Sequence, residues 1–309
     1  MTSSMRTLRS DVRQRGLALI VAMLIAALAA AVAVSVATAQ AQWSAQVEHR
    51  RDQVEAQSIA LAGVAWARAI VAADNSPIDS PGSPWALPLP ATPVENGAVE
   101  GRIVDAQAML NVNMLASPQY AARARDQFKR LFAALGLPQS TLDAMIDWVD
   151  RDSAPEPNGA EDAWYIAQAD PSLAANASAT RVEELANVRG MTPSAMARLA
   201  PFVTALPEDV AVNVNTAPPE VLAALLDGIQ PDTLASLVAD RNAHPFMTPD
   251  DFLAHVPKTL PAVDRNLVSV NTGYFLVFVR ARQGETVANA RALIRRDKGT
   301  SSIVWQTIE

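Results

Sequence analysis

An unbroken apolar block opens the chain, and every later segment has a different rhythm. Leu17 to Val34 is eighteen consecutive apolar residues, and Gly16 through Val47 carries no charged residue. At about 1.5 Å of rise per residue, some 20 such residues cross the ~30 Å hydrocarbon layer of a bilayer. Beyond the block, Val47, Val54 and Leu61 recur every seven residues, with Trp43 and Ala65 on a neighbouring stripe. This spacing predicts one continuous helix from Leu17 to Ala73, roughly 85 Å long, half membrane span (about 17–39) and half amphipathic.

Asp74 to Val94 then holds six prolines and Gly82. Proline lacks the backbone donor that helices and sheets need, so a linker or an extended surface loop is expected. Gly97–Ala106 alternates as a short strand. From Asn111 to about Lys258 the period is helical. Helices are expected at Tyr120–Leu135, ending at Gly136, and after a Ser140/Thr141 cap along Leu142, Met145, Ile146 and Val149. Short ones follow at Arg181–Ala186, Pro193–Phe202, Pro219–Leu226, Asp232–Asn242 and Asp250–Ala254. No internal repeat is clear, although the hairpins around Gly190 and Gly228 look alike. The tail alternates again, and Gly273–Arg282, Thr286–Arg296 and Ser301–Ile308 read as three strands. Strands on both sides of a helical middle give an α+β fold, a sheet domain interrupted by a large all-α insert, and not an α/β fold. The expected division is 1–16, 17–73, 74–110, 111–260 for the insert, and 261–309 for the closing strands.

With 309 residues, half of them hydrophobic and 18% charged, the chain has ample material for a core. The absence of cysteine excludes disulfides, zinc–thiolate sites and cysteine nucleophiles. A net charge of −7 argues against wrapping nucleic acid.

Candidate chemistry is densest between Asp147 and Asp162, where Asp147, Asp150, Asp152, Glu156, Glu161 and Asp162 share sixteen residues with a single arginine. Counted from Asp150, carboxylates fall at positions 1, 3 and 12 and Asn158 at 9, the offsets of an EF-hand loop. Position 6, which needs Gly, is Pro155, so the segment is an oxygen-rich loop of similar spacing and no EF-hand. A hard divalent cation, Ca²⁺ before others, suits it, with Asp147, Asp150, Asp152, Glu161 and Asp162 as ligands and Asn158 through its amide oxygen. The competing reading is a solvated acidic loop. A paired general acid and base would need a cleft that nothing in the sequence locates.

A second constellation runs from Asn213-Val-Asn215-Thr216 through Asp227-Gly228-Ile229-Gln230 to Asp250-Asp251-Phe252. It resembles helix-hairpin-helix modules, which hold DNA phosphates with hairpin amides and basic residues. Here the second hairpin glycine is Gln230, and Pro218–Leu260 carries six acids against Arg241 and Lys258. Such a surface repels a polyanion, so the hairpins are expected to pack a sterile-alpha-motif-like bundle. His49, His244 and His255 lack ligand spacing, Trp148 and Trp164 read as core, and no GxSxG, Walker A or GxGxxG motif occurs.

Arg6, Arg9, Arg13 and Arg15 precede the apolar block against one acid, Asp11, so the N-terminal flank should stay cytoplasmic and the remainder lie beyond the membrane. A signal peptide cut near Ala37-x-Ala39 competes with a retained anchor. Arg13-Gln-Arg-Gly16 followed by Leu17-Ala-Leu-Ile-Val21 resembles the type IV pilin and type II secretion pseudopilin family. Departures from the common pattern are Leu17 at the first mature position and Val21, where most members carry Glu. The acidic motif, Pro157-Asn158-Gly159-Ala160-Glu161-Asp162 and Asn213-Val-Asn215-Thr216-Ala217-Pro218 are similar to motifs of that family's large minor pseudopilins, which also lack the glutamate.

The resemblance implies prepilin-peptidase cleavage between Gly16 and Leu17, N-methylation of Leu17, and a pseudopilin-type antiparallel sheet with the α insert. It further implies an inner-membrane anchor with the C-terminal domain in the periplasm, no enzymatic activity, and a place at the pseudopilus tip. There the chain would initiate assembly and support export with minor pseudopilins I and J and the major pseudopilin. The alternative from another class is a membrane-anchored periplasmic helix-hairpin-helix DNA-binding protein; an anchored hydrolase would need a reactive pair the sequence does not present.

Overall fold

The structure, a computed structural model, describes residues 7–309, with side chains from residue 16 onward. The basic side chains expected to flank the membrane block, Arg6, Arg9, Arg13 and Arg15, lie outside the described residues. Helix α1 (Thr7–Ala73) is continuous, as the spacing predicts. Its membrane half buries nothing. Its distal half lies on an antiparallel sheet through Ala56, Ala60, Val64, Ala67 and Val71, spaced by three and four residues. Small side chains bring the helix close: a Cβ on Gly63 would stand 2.7 Å from Val279 Cγ1. The heptad stripe of Val47, Val54 and Leu61 is therefore not the face the molecule buries. It lies roughly 120° round the helix and points to solvent.

The proline-rich stretch differs from a free linker. Asp79, Ser80, Ser83 and Trp85 are buried, and the Trp85 indole donates to Asp79 Oδ1 (2.8 Å) while meeting the Phe275 ring edge-on. It continues into strand β1 (Leu89–Val94), which includes Pro90 and Pro93. Proline is tolerated there because β1 is the sheet's edge.

Strand β2 (Gly97–Asp105) pairs with β1 and then the chain leaves the sheet. It passes through β3 (Leu110–Asn111), α2 (Ala121–Ala134), α3 (Gln139–Val149), α4 (Asp162–Ile166), α5 (Pro193–Leu199) and β4 (Val203–Thr204). A second group follows: β5 (Val212–Asn213), α6 (Pro219–Leu225), α7 (Pro231–Ala243), α8 (Pro249–His255) and β6 (Val268–Ser269). The chain rejoins the sheet as β7 (Tyr274–Gln283), β8 (Thr286–Asp297) and β9 (Thr300–Ile308), giving the order β1-β2-β7-β8-β9. Because β2 and β7 are direct neighbours, residues 106–273 form one insertion between adjacent strands. The three closing strands fall within a residue of where the sequence places them, whereas the insertion extends beyond the expected 111–260 at both ends. Helix α3 starts two to three residues early, after Pro138, and Thr141 is buried instead of capping.

The insert contains a repeat that sequence reasoning missed. Leu110-Asn-Val-Asn113 and Val212-Asn-Val-Asn215 each begin with a two-residue strand in a parallel pair, β3 with β4 and β5 with β6. In each, the second asparagine clamps both backbone groups of a distant residue: Asn113 holds Ala179 (2.8 and 2.9 Å) and Asn215 holds Phe246 (2.9 and 2.9 Å). The recurring Asn-Val-Asn was the available signal. The hairpin glycines match as well, Gly190 at φ 81° and Gly228 at φ 76°, conformations that favour glycine.

Asn213 also fastens the insert to the sheet. Its Nδ2 donates to Asp105 Oδ2 at the end of β2 (2.8 Å) and to the Asp79 carbonyl (3.1 Å). Thr216 Oγ1 and the Gln107 amide donate to the same Asp105 carboxylate (2.5 and 2.7 Å). Asp79 Oδ2 accepts from the Thr272 amide (2.8 Å) and pairs with Arg296 of β8. Burial pushes the Asp105 carboxyl up to about 6, against these donors. Replacing Asn213→Ala leaves the buried Asp79 carbonyl without a donor and removes one of the donors to Asp105, so urea unfolding should show a loss of about 1–3 kcal/mol. An unchanged midpoint would mean the hub does not hold the insert in place.

Candidate metal centre

Helix α3 ends inside the acidic loop, and that position sets the site. Asp147 lies on the buried face of α3 with Met145, Ile146, Trp148 and Val149 around it, and is itself fully buried. Asp150 caps the helix, Asp152 is exposed on the loop, and Glu161 is buried just before α4. One oxygen each from Asp150, Asp152 and Glu161 falls within 4.8 Å of the other two, the one such acidic or histidine group among the described residues.

The polar accounting is incomplete in a directed way. Asp147 Oδ1 accepts from the Glu156 amide (2.9 Å), but its Oδ2 has no partner. Asp150 Oδ1 and Glu161 Oε1 are also buried and unpartnered. Buried carboxylate oxygens without donors are costly, and such oxygens on three residues at one helix end and its loop, two of them in the close group, suit a cation that accepts oxygen ligands. Gly159 packs against Asp147 Oδ2 so closely that a Cβ would overlap it. Asn176, in the left-handed region (φ 44°), sets its carboxamide beside Glu161 Oε2 and the Asp147 carbonyl, where the nitrogen is the end that can donate to both. It lies fourteen residues beyond the acidic run, so no spacing rule pointed to it.

Two expected ligands are engaged elsewhere. Asn158 Nδ2 donates to Asp143 Oδ2 (3.0 Å), and Asp162 Oδ1 accepts from the Ala174 amide (2.9 Å), closing the loop after α4. The surrounding frame is aromatic and basic. Tyr165 meets Trp148 and Trp164 edge-on, Arg189 Nη1 donates to the Gly159 carbonyl (3.0 Å), and Arg125 pairs with Glu156. Trp148 is core, as expected, and all three histidines are exposed.

Electrostatics follow from this crowding. Asp150 is pushed up to about 6, first by burial and then by the charges of Asp152 and Asp147, with Arg125 opposing. Burial raises Asp147 against the Glu156 and Ala160 amides, and raises Glu161 with help from its acidic neighbours.

The hairpin constellation gathers no phosphate site. Arg241 is buried, donating through Nη1 to the Val214 and Ala217 carbonyls (2.9 and 2.6 Å), and Pro231 removes an amide donor at the start of α7. Val21 is half-exposed on the membrane half of α1.

Comparison with known proteins gives one consistent result. Two family models, both described as type II secretion system protein K, match residues 108–208 and 212–271, the two halves of the insert that each begin with Asn-Val-Asn. The chain is 32% identical over 317 aligned positions to type II secretion system protein K of Klebsiella pneumoniae, covering 94% of this chain and 95% of the relative. It is 33% identical to the protein of that name from Pseudomonas aeruginosa, over 68% of this chain and 65% of the relative. The fold is similar to a chain in the crystal structure of the GspK-GspI-GspJ complex from enterotoxigenic Escherichia coli, with a TM-score of 0.69 and 26% identity, covering 88% of this chain and 99% of that one.

A carboxyl raised on folding contributes stability that is complete below its ordinary value near 4 and is lost as pH rises through its folded value near 6. In chelator, Asp150→Asn should therefore raise the melting temperature at pH 7.5 and leave it nearly unchanged at pH 4. A drop at pH 7.5 would show that the ionised carboxylate is already satisfied by the protein alone.

Proposed function

This chain belongs to the type II secretion system protein K family and is a minor pseudopilin of that apparatus; we propose that it stands at the tip of the pseudopilus and initiates its assembly. The observation that carries this reading is the insertion of residues 106–273 between neighbouring strands β2 and β7. A body of that size beside the sheet crowds the repeating contacts of a helical filament, except at an end, where nothing follows above. Val21 supports the same place. A glutamate there can neutralise the terminal ammonium of a neighbour within the apolar bundle, and an unpaired charge in such surroundings costs ~3 kcal/mol or more. Valine offers no such partner, so no subunit amine above it is served.

Residues 17–39 of α1 anchor the chain as a single inner-membrane span, with the sheet and insert in the periplasm. Cleavage after Gly16 and N-methylation of Leu17 by the prepilin peptidase follow. The working partners are minor pseudopilins I and J, consistent with the three-protein complex that the similar solved chain belongs to, and then the major pseudopilin. The role is structural, not enzymatic. The helix-hairpin-helix alternative gains no support from the buried Arg241 or the acidic surroundings of Gly228.

Two measurements test this. Gold-labelled chain, with an N-terminus at Leu17 by intact mass, should mark one end of isolated pseudopili; regular labelling along their length would defeat the tip assignment.

The acidic loop, on the same reading, takes a structural Ca²⁺ through Asp147, Asp150, Asp152 and Glu161, with Asp162 and Asn158 nearby in the loop. Binding to the native state alone should stabilise it by on the order of 2.7 kcal/mol at a hundredfold excess over Kd. Protons compete for the same oxygens, so the gain should be large at pH 7.5 and fade below pH ~6. Superimposable melts in calcium and in chelator at pH 7.5 would leave the loop merely solvated.

A further inference from the structure

Three adjacent strands set two arginines on either side of one phenylalanine. Arg102 of β2 and Arg291 of β8 are the direct cross-strand partners of Phe278 of β7. Their neighbours Val277, Val279, Ala290 and Ala292 pack toward α1, so these three side chains lie on the opposite face of the sheet. The guanidinium carbons of Arg102 and Arg291 stand 4.4 and 5.4 Å from the Phe278 ring centroid. A guanidinium stacked on a ring uses its flat face and keeps its N–H fork at the edge. The insert covers the distal part of this face, where Leu206 and Val210 pack with Tyr274, Leu293 and Trp305. That cover ends where Glu183 meets Arg291 (2.5 Å). Beyond it lies an open recess of about 650 Å³, lined by Glu100, Arg102, Phe278, Arg280, Arg291 and Glu309 among others. Arg280 faces Glu100 across the strands (3.7 Å), whereas Arg102 is exposed and makes no ion pair among the described residues. Arg291 Nε is buried without a hydrogen-bond partner.

We propose that this recess seats an extended acidic segment of another protein, with one carboxylate on the fork of Arg102, a second on that of Arg291, and the chain between them across Phe278. The spacing fits. The two guanidinium carbons lie within about 10 Å of each other. Residues i and i+2 of an extended chain point to the same side about 6.6 Å apart, and glutamate side chains span the remainder. Stacking holds both forks in place before anything binds, so little side-chain freedom is lost on contact. Charge decides the class of partner. On a chain of net charge −7, a cationic recess attracts what most of the surface repels. A uniform polyanion such as polyphosphate meets Glu100 and Glu309 in the same recess and is disfavoured, whereas two carboxylates among neutral residues are not. The recess faces away from α1, so it is separate from the membrane anchor.

The test uses full-length chain in detergent at low ionic strength. Its probe is a fluorescein-labelled octapeptide with two glutamates two residues apart among threonines, read by fluorescence anisotropy. Saturable binding is expected, with the glutamine version of the peptide about tenfold weaker, as the loss of charge-assisted hydrogen bonds implies. Arg102→Ala should weaken binding by about the same factor. Arg102→Lys, which keeps the charge and loses the fork, should weaken it several-fold, and Arg68→Ala on α1 should leave it unchanged. Phe278→Leu should also weaken it several-fold by releasing both forks; should that variant unfold, the exposed Arg102 decides alone. Arg102→Glu should reverse the preference toward a peptide with lysines in place of the glutamates. Equal binding of the glutamine peptide, absence of saturation, indifference to Arg102, or displacement of the peptide by inorganic polyphosphate at matched charge would each overturn the proposal.

Discussion

A domain inserted between two neighbouring strands must leave and rejoin the sheet at one place, and everything distal to the membrane depends on how that place is held. Here it is held by buried carboxylates with assigned donors. Asp105 ends β2 and accepts from Asn213, Thr216 and Gln107; Asp79 accepts from Trp85, Thr272 and Arg296. The strap after α1, the end of β2, the second group of the insert and β8 therefore meet in one polar network. Gln107 closes it from the other side, taking the Gly273 amide on Oε1 (2.6 Å) and giving Nε2 to the Ala211 carbonyl (2.9 Å). Breaking a network of this kind in a low-dielectric interior costs more than its individual bonds suggest.

The acidic loop poses the opposite problem with the same residue type. At the hub each buried carboxylate finds donors from neighbouring backbone and amides. In the loop, Asp150, Asp152 and Glu161 bring oxygens within 4.8 Å of one another, and Asp147, Asp150 and Glu161 each keep one buried oxygen without a donor. Arg125 and Arg189 stand close but spend themselves on Glu156 and the Gly159 carbonyl. The protein supplies a frame for positive charge and not the charge itself, which is the arrangement a cation site needs.

Helix α1 joins these distal features to the bilayer by dividing its surface. One face, made of alanine, valine and the gap at Gly63, is spent on the sheet, where small residues permit close approach. The other keeps larger apolar residues and the exposed Arg50 and Arg68 for the outside. The narrow inward face is sufficient because the sheet brings its own bulk in Phe275, Val277, Val279 and Ile294.

The sequence by itself determined the elements whose signal is local. The length and purity of the apolar block decided α1, alternation decided β7 to β9, and helical spacing decided the insert, because each periodicity reflects one face meeting one neighbour. The acidic loop was legible as oxygen-rich for the same reason, since its carboxylates lie within sixteen residues. Tertiary structure decided what distance along the chain conceals. Which stripe of α1 is buried depends on a sheet some two hundred residues later, so alanine faced inward and the heptad stripe outward. The prolines of 77–93 became a pinned strap and an edge strand only because Asp79 and Trp85 found partners across the fold. Asn176 joined Glu161, and Asn158 turned to Asp143, through loop paths that spacing does not encode. Asn213 became the hub because two parallel strand pairs carried its carboxamide to Asp105, a contact spanning 108 residues that no local pattern announces.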